Sequence, residues 1–227
     1  MSTSTNYPQL VMIIRHGEKP GNPSQDSKGG PHLSLLGSAR AVALPSLFTP
    51  DPGVAPPAKS AAQQLTCDLT AGQAKQFAGT YSNSGVPAGN SRFPVPNFLF
   101  ATHQSKNSNR PVETITPLSQ ALASLNNPSI KSKIHHHYPD ASYKELAQEI
   151  LKTPQTYGGQ VILICWHHGK APNLAEQLGV SKSQLAPWKP WNPEVFDLVF
   201  QITWDDAGQA NLKVGYQQLL FNDTKAT

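Results

Sequence analysis

Val11-Met12-Ile13-Ile14-Arg15-His16-Gly17-Glu18 is the stretch on which the reading of this chain turns. Four consecutive large apolar residues that stop at an arginine, a histidine and a glycine read as a short strand buried on both faces, the pattern of a parallel sheet. In open α/β sheets ligands gather beyond the carboxyl ends of such strands, which is where Arg15-His16-Gly17 falls. Gly17 lets the backbone turn sharply and approach a ligand closely. His16 offers a nucleophilic imidazole, and Arg15 a planar fork of donors that matches phosphate oxygens. A tripeptide of this kind recurs by chance, so the alternative is a satisfied loop histidine beside a surface arginine. The rest of the chain decides between them.

The 227 residues suffice for one sizeable core, and a single domain over 1–227 is the simplest organisation. A hydrophobic content of 38% with 21 prolines and 16 glycines points to a globular protein with long loops. These insertions fall around 20–31, 49–64 and 79–96. The formal charge is +4, but no lysine or arginine run exceeds two, so nucleic acid is not the expected partner. A modest basic excess suits a small anionic substrate equally well. The polar start, Met1 to Tyr7, lacks a charged segment leading into an apolar core, and no apolar run approaches a membrane span. A cytoplasmic protein with no membrane partner is the expectation. Cys67 and Cys165 lack metal-ligand spacing and read as two reduced thiols.

Along the chain, Ser34 reads as the N-cap of a first helix through Leu44. Pro50 to Pro57 is irregular, a short helix is possible over Ala71 to Phe77, and Gly79 to Pro96 is again loop. Phe98-Leu99-Phe100-Ala101 is a second buried strand, ending in Thr102-His103-Gln104-Ser105-Lys106. Arg110 opens a helix to about Leu125, whose regular part is expected from near Thr116, because Pro117 fits a first turn better than an interior. His135-His136-His137 reads as connecting segment, and Ser142-Tyr143-Lys144-Glu145 as a capping box before the next helix. Val161 to Trp166 is the strongest strand signal and ends in His167-His168-Gly169. A helix from Pro172 stops at Gly179, and Val195–Trp204 and Leu212–Phe221 pair as a closing hairpin. Strands alternating with helices predict a three-layer α/β sandwich. Its central sheet is mostly parallel, with helices on both faces and an antiparallel C-terminal hairpin. If the three buried strands are neighbours, two arginines and two histidines meet at one end of the sheet.

These segments resemble a known family. Arg15-His16-Gly17-Glu18 after a strand resembles the signature of the histidine phosphatase (phosphoglycerate mutase-like) superfamily. Leu33-Ser34-Leu35-Leu36-Gly37-Ser38-Ala39-Arg40 resembles its segment entering the first helix. Phe100-Ala101-Thr102 through Arg110-Pro111-Val112-Glu113-Thr114 resembles the part that carries its second arginine, and Val161 to Gly169 the strand before its second histidine. The resemblance runs from Leu10 to about Gly179 and implies a phosphatase acting on a small phosphorylated metabolite through a phosphohistidine. Two arginines and two histidines can neutralise a transferring phosphoryl group and no carboxylate cluster suited to magnesium stands out, so neither metal nor cofactor is expected. His16 would be the nucleophile, with Arg15, Arg110 and His168 on the phosphoryl oxygens. His168 is preferred to His167 because it precedes Gly169, which leaves His167 to packing or the rim.

The chain departs from two branches of that family. Lys19-Pro20 and Gly169 stand where the acid-phosphatase branch adds an arginine and an aspartate, and no Glu-Arg-His-Tyr-Gly-like segment of the mutases occurs. The competing reading is a non-catalytic anion-binding module; a mutase-type phosphotransferase ranks lower. The general acid is open among Glu18, Glu113, His137 and Asp140, the last two favoured because their loop could approach from opposite the nucleophile. Lys106 is a further candidate phosphate contact against an ordinary solvated lysine. The His135–His137 run is no metal site, since three adjacent residues cannot all face one ion. Trp188 and Trp191, in a proline-rich segment, are expected to cover the core beside the last strands, the alternative being the lining of a substrate pocket.

Overall fold

The computed structural model describes residues 6–21, 30–49, 92–221 and 223; most of the expected insertions, the possible helix over Ala71 to Phe77, and Cys67 lie outside them. In chain order the elements are β1 (Leu10–Arg15), α1 (Leu35–Ala43), α2 (Pro45–Phe48), β2 (Phe98–Ala101), α3 (Arg110–Ser124) and β3 (Lys131–His135). They continue with α4 (Tyr143–Lys152), α5 (Pro154–Tyr157), β4 (Val161–Trp166), α6 (Ala171–Gln177), α7 (Lys182–Leu185), β5 (Leu198–Trp204) and β6 (Ala210–Tyr216).

The six strands form one sheet in the order β3-β2-β4-β1-β5-β6. β3, β2, β4 and β1 run parallel, while β5 is antiparallel to β1 and β6 to β5. This is the mostly parallel sheet with an antiparallel hairpin that the sequence predicts. β1 and β4 are fully buried along their length, as their unbroken apolar runs require. Alternation sends Val11, Ile13, Ile162, Ile164 and Trp166 to one face, against Leu146 and Ile150 of α4 and Leu174 of α6. Met12, Ile14, Leu163 and Cys165 face Ile115, Leu118 and Leu122 of α3 on the other. Among the described residues no helix is long and apolar enough to cross a membrane.

Four local expectations are corrected. Pro117 lies inside α3, which is regular from Arg110, with Pro111 in its first turn. Packing of Ile115, Leu118 and Leu122 against the sheet overrides the local penalty, and the Thr114 and Thr116 hydroxyls bond the carbonyls of Arg110 and Val112 one turn back. His135 belongs to β3, an edge strand paired only with β2, whose polar sequence hides it. Ser142 makes no cap bond, because the 3-10 turn Asp140–Ser142 leads straight into α4. The capping box that forms is Ser181 with Gln184 at the start of α7. Lastly, β5 begins at Leu198, so 195–197 stay outside it.

Candidate active site

The carboxyl ends of β1, β4 and β2 are adjacent, as the convergence argument requires. Arg15 pairs with Trp166 in the β1–β4 register, and the His16 amide continues the ladder to the Trp166 carbonyl at 3.3 Å. The next aligned residues are therefore His16 and His167. Alternation turns both toward the α3 face, since each lies two residues beyond a strand residue of that face, Ile14 and Cys165. Their rings meet edge to face, with centroids 5.0 Å apart. His167 makes this contact, and His168, which the sequence reading set on the phosphoryl oxygens, falls one residue later in the turn leading into α6. The interstrand register sets which of the two histidines is aligned with His16, and one strand's sequence does not contain it.

His16 is 1% exposed. Burial pushes its pKa well below the ordinary histidine value, and His167, Arg15 and Arg110 add to the depression against the opposing pull of the Gly17 carbonyl. The imidazole is therefore neutral at pH 7. Its Nδ1 lies 2.7 Å from the Gly17 carbonyl oxygen. A carbonyl only accepts, so Nδ1 carries the hydrogen and Nε2 the nucleophilic lone pair.

The turn after β1 is clamped from several sides. The Gly17 amide donates to Thr114 Oγ1 at 2.9 Å. A Cβ on Gly17 would come within 2.9 Å of the Gly37 carbonyl oxygen, and one on Gly37 within 2.3 Å of the Glu18 oxygen, so both positions need glycine. Ser34 caps α1 by accepting from the Gly37 amide, as expected, while its own amide donates to the Glu18 carbonyl. Arg110, at the N-terminus of α3, is buried and donates from Nη1 to the Gly30 carbonyl at 2.8 Å. Arg15 is fully buried; its Nη1 donates to the carbonyls of Pro193 at 2.5 Å and Val195 at 3.1 Å. The Phe196 ring lies 3.6 Å from its guanidinium carbon.

The open assignments sort by contact. Glu18 is a structural partner: it accepts from Arg40 Nε and from Nη2 at 2.6 Å, and Arg40 also holds Asp223. Glu113 accepts from the Leu33 amide at 2.9 Å and pairs with His32 at 2.5 Å, which ties down the segment before α1. His137 is exposed, stacks on Tyr138 and faces Glu149 at 3.8 Å. Lys106 is exposed in the tight turn bridged by Ser105 and Ser108. Asp140 differs from all of these. Its Oδ1 and the Trp166 Nε1 are both buried, each without a hydrogen bond of good geometry. Burial raises its carboxyl to about 6, against the opposing pull of Lys170 and of the Trp166 indole.

Sequence reasoning gave no role to Thr114, Arg40 or Phe196. Only Thr114 had a usable signal, the one-turn spacing from Arg110 that aligns it with the same helix face. Trp191 is buried in the core with Trp188 packed on its edge, as expected of that segment. The two also line a cleft of about 220 Å³ with Pro187, Pro190 and Tyr216, and neither His16 nor Arg110 borders it.

Neither a family model nor a curated protein sequence matches this chain. Solved structures do resemble it. The mycobacterial glucosyl-3-phosphoglycerate phosphatase is 13% identical, with 92% of this chain and 97% of that one covered at a TM-score of 0.42. Phosphoglycerate mutase from Plasmodium falciparum is 12% identical, with 97% and 99% covered at 0.41. Phosphoglycerate mutase from Bacillus anthracis is 12% identical, with 92% and 94% covered at 0.42. All three are histidine phosphatase superfamily structures. Likeness at this level carries no argument about chemistry, which rests on the side chains described above.

Proposed function

We propose that this chain is a phosphatase that hydrolyses a small phosphomonoester through a phosphohistidine on His16. One arrangement supports the reading: a buried, neutral imidazole with Nε2 as its lone-pair nitrogen, set among His167, Arg15 and Arg110. Nε2 attacks phosphorus while the ester P–O bond breaks, and the leaving oxygen takes a proton. Water then attacks the phosphorylated histidine, the P–N bond breaks, and inorganic phosphate leaves. Arg15, Arg110 and His167 hold the phosphoryl oxygens and balance the charge in flight. Asp140 is the proton donor in this reading, since a carboxyl near 6 is still partly protonated close to neutral pH and sits on the loop that follows β3. The substrate is met in the cytoplasm, and neither nucleic acid nor a membrane takes part.

His16→Ala tests the reading. It should cut turnover more than about a hundredfold and abolish an acid-labile phosphoenzyme, because losing a covalent route costs at least that much. Turnover retained above about a hundredth removes His16 from the role. A wild-type protein that binds inorganic phosphate yet hydrolyses no ester would instead be an anion-binding module.

A further inference from the structure

We infer that the indole N–H of Trp191 sets the orientation of the Arg15 guanidinium, which makes Trp191 a positioning residue for this site. The inference rests on reading Arg15 as a group that holds the phosphoryl oxygens. Trp191 is 2% exposed and packs on Phe200 of β5, with ring centroids 4.9 Å apart, so its indole is fixed to the core. Its Nε1 donates to the Val195 carbonyl at 2.9 Å. That same oxygen accepts from Arg15 Nη1 at 3.1 Å. A carbonyl oxygen has two lone pairs, and here one takes the indole and the other the guanidinium.

The surrounding loop leaves that carbonyl little freedom. The Val195 amide donates to the Asn192 carbonyl at 3.0 Å, and the Glu194 amide to Asn192 Oδ1 at 2.9 Å. On the other side of the guanidinium, the Phe196 carbonyl accepts from Gln217 Nε2 at 3.3 Å, which anchors the ring stacked on Arg15. Three constraints therefore fix the plane of the fork: the Pro193 carbonyl, the Val195 carbonyl and the Phe196 ring. The indole pins the middle one to the core. Without its N–H the Val195 carbonyl can turn, and the fork turns with it. A planar donor set aimed at phosphate oxygens loses affinity when its angle is wrong.

Trp191→Phe keeps an aromatic ring against Phe200 and deletes the donor. Benzothienylalanine at position 191 keeps the bicyclic shape and replaces N–H by sulfur, which covers the case in which the phenylalanine variant does not fold. Trp188→Phe is the control on the same segment. The Arg15 Nε–Hε resonance, assigned by its disappearance in Arg15→Lys, should move in both position-191 variants and stay in place in the control. KM for nitrophenyl phosphate and the inhibition constant of inorganic phosphate should rise together, about three- to tenfold, with a smaller change in kcat. Trp191→His, which restores a ring N–H, should recover part of that loss. An unmoved Arg15 resonance with unchanged KM overturns the inference, even if the melting temperature drops. If the wild-type protein hydrolyses no phosphomonoester, the proposed function falls, and the resonance still decides the positioning role.

Discussion

At the scale of single residues the site shifts two titrations in opposite directions from their ordinary values. His16 is held below the ordinary histidine value, so its neutral, nucleophilic form persists into weak acid. Asp140 is raised to about 6, so its acidic form persists toward neutrality. Hydrolysis of alkyl phosphates should therefore decline as pH rises through about 6. Nitrophenyl esters, whose leaving group needs little protonation, should decline less. Measuring the ratio of the two rates against pH isolates the donor from the substrate's own ionisation, and a constant ratio removes Asp140 from the role. Asp140→Asn should slow the alkyl esters by about 10²- to 10⁴-fold. The same substitution should raise the melting temperature at pH 8. A carboxyl raised in the folded state supports folding below its unfolded value of about 4, and that support is lost as pH rises through about 6. His16 runs the other way: stability falls as pH drops below about 6.5, because only the unfolded chain then takes up that proton. The stretch Arg15-His16-Gly17 and Arg110 were legible at this scale, because a polar residue just after a buried run has few places to go. That His167 is the histidine aligned with His16 was not, since the alignment depends on the partner strand.

At the scale of elements, the turn after β1 is held by a buried charge cluster. Arg40 on α1 reaches Glu18 on one side and Asp223 near the end of the chain on the other, and both carboxylates are largely buried. Arg40→Met leaves two buried carboxylates without their cation and should cost about 3–5 kcal/mol in denaturant unfolding. A loss under about 1 kcal/mol would mean that the cluster is solvated and carries little. Arg40 keeps the Asp223 carboxyl below its ordinary value against the opposing effect of burial. This support is complete above about pH 4 and is lost as acid titrates the carboxylate. Gly37→Ala should also destabilise, by about 1–3 kcal/mol, because the atom it adds meets the Glu18 backbone. The elements legible from sequence were those with strong apolar periods, such as β1, β4 and α3. β3, Lys131-Ser132-Lys133-Ile134-His135, was not, because an edge strand with one covered neighbour needs few apolar residues. The capping box at Ser142 failed for a different reason, since a preceding 3-10 turn consumed the position where the cap would act.

For the whole molecule, the fold brings Arg15, Arg110, His16 and His167 to one end of the sheet, and in the proposed function these cations and imidazoles balance a phosphoryl group in transfer. Activity should survive exhaustive dialysis against EDTA, and vanadate should inhibit it competitively. A strict requirement for added magnesium would sink that mechanism. Convergence of three strand ends was legible in the sequence as a condition: if the strands are neighbours, the groups meet. That they are neighbours is a property of the order β3-β2-β4-β1-β5-β6, which no single segment encodes.

That order has a consequence for how the chain is made. Among the described strands β1 is translated first, yet it lies inside the sheet with β4 on one edge and β5 on the other. Its partners begin only at Val161 and Leu198. Until those segments are made, a strand that is apolar but for Arg15 waits with both edges bare, and contacts this distant in sequence form slowly. His16 is translated before Arg110 and His167, and its strand gains its second neighbour only with β5. Nascent chains halted before Trp204 should need chaperone protection, and no fragment ending there should bind phosphate.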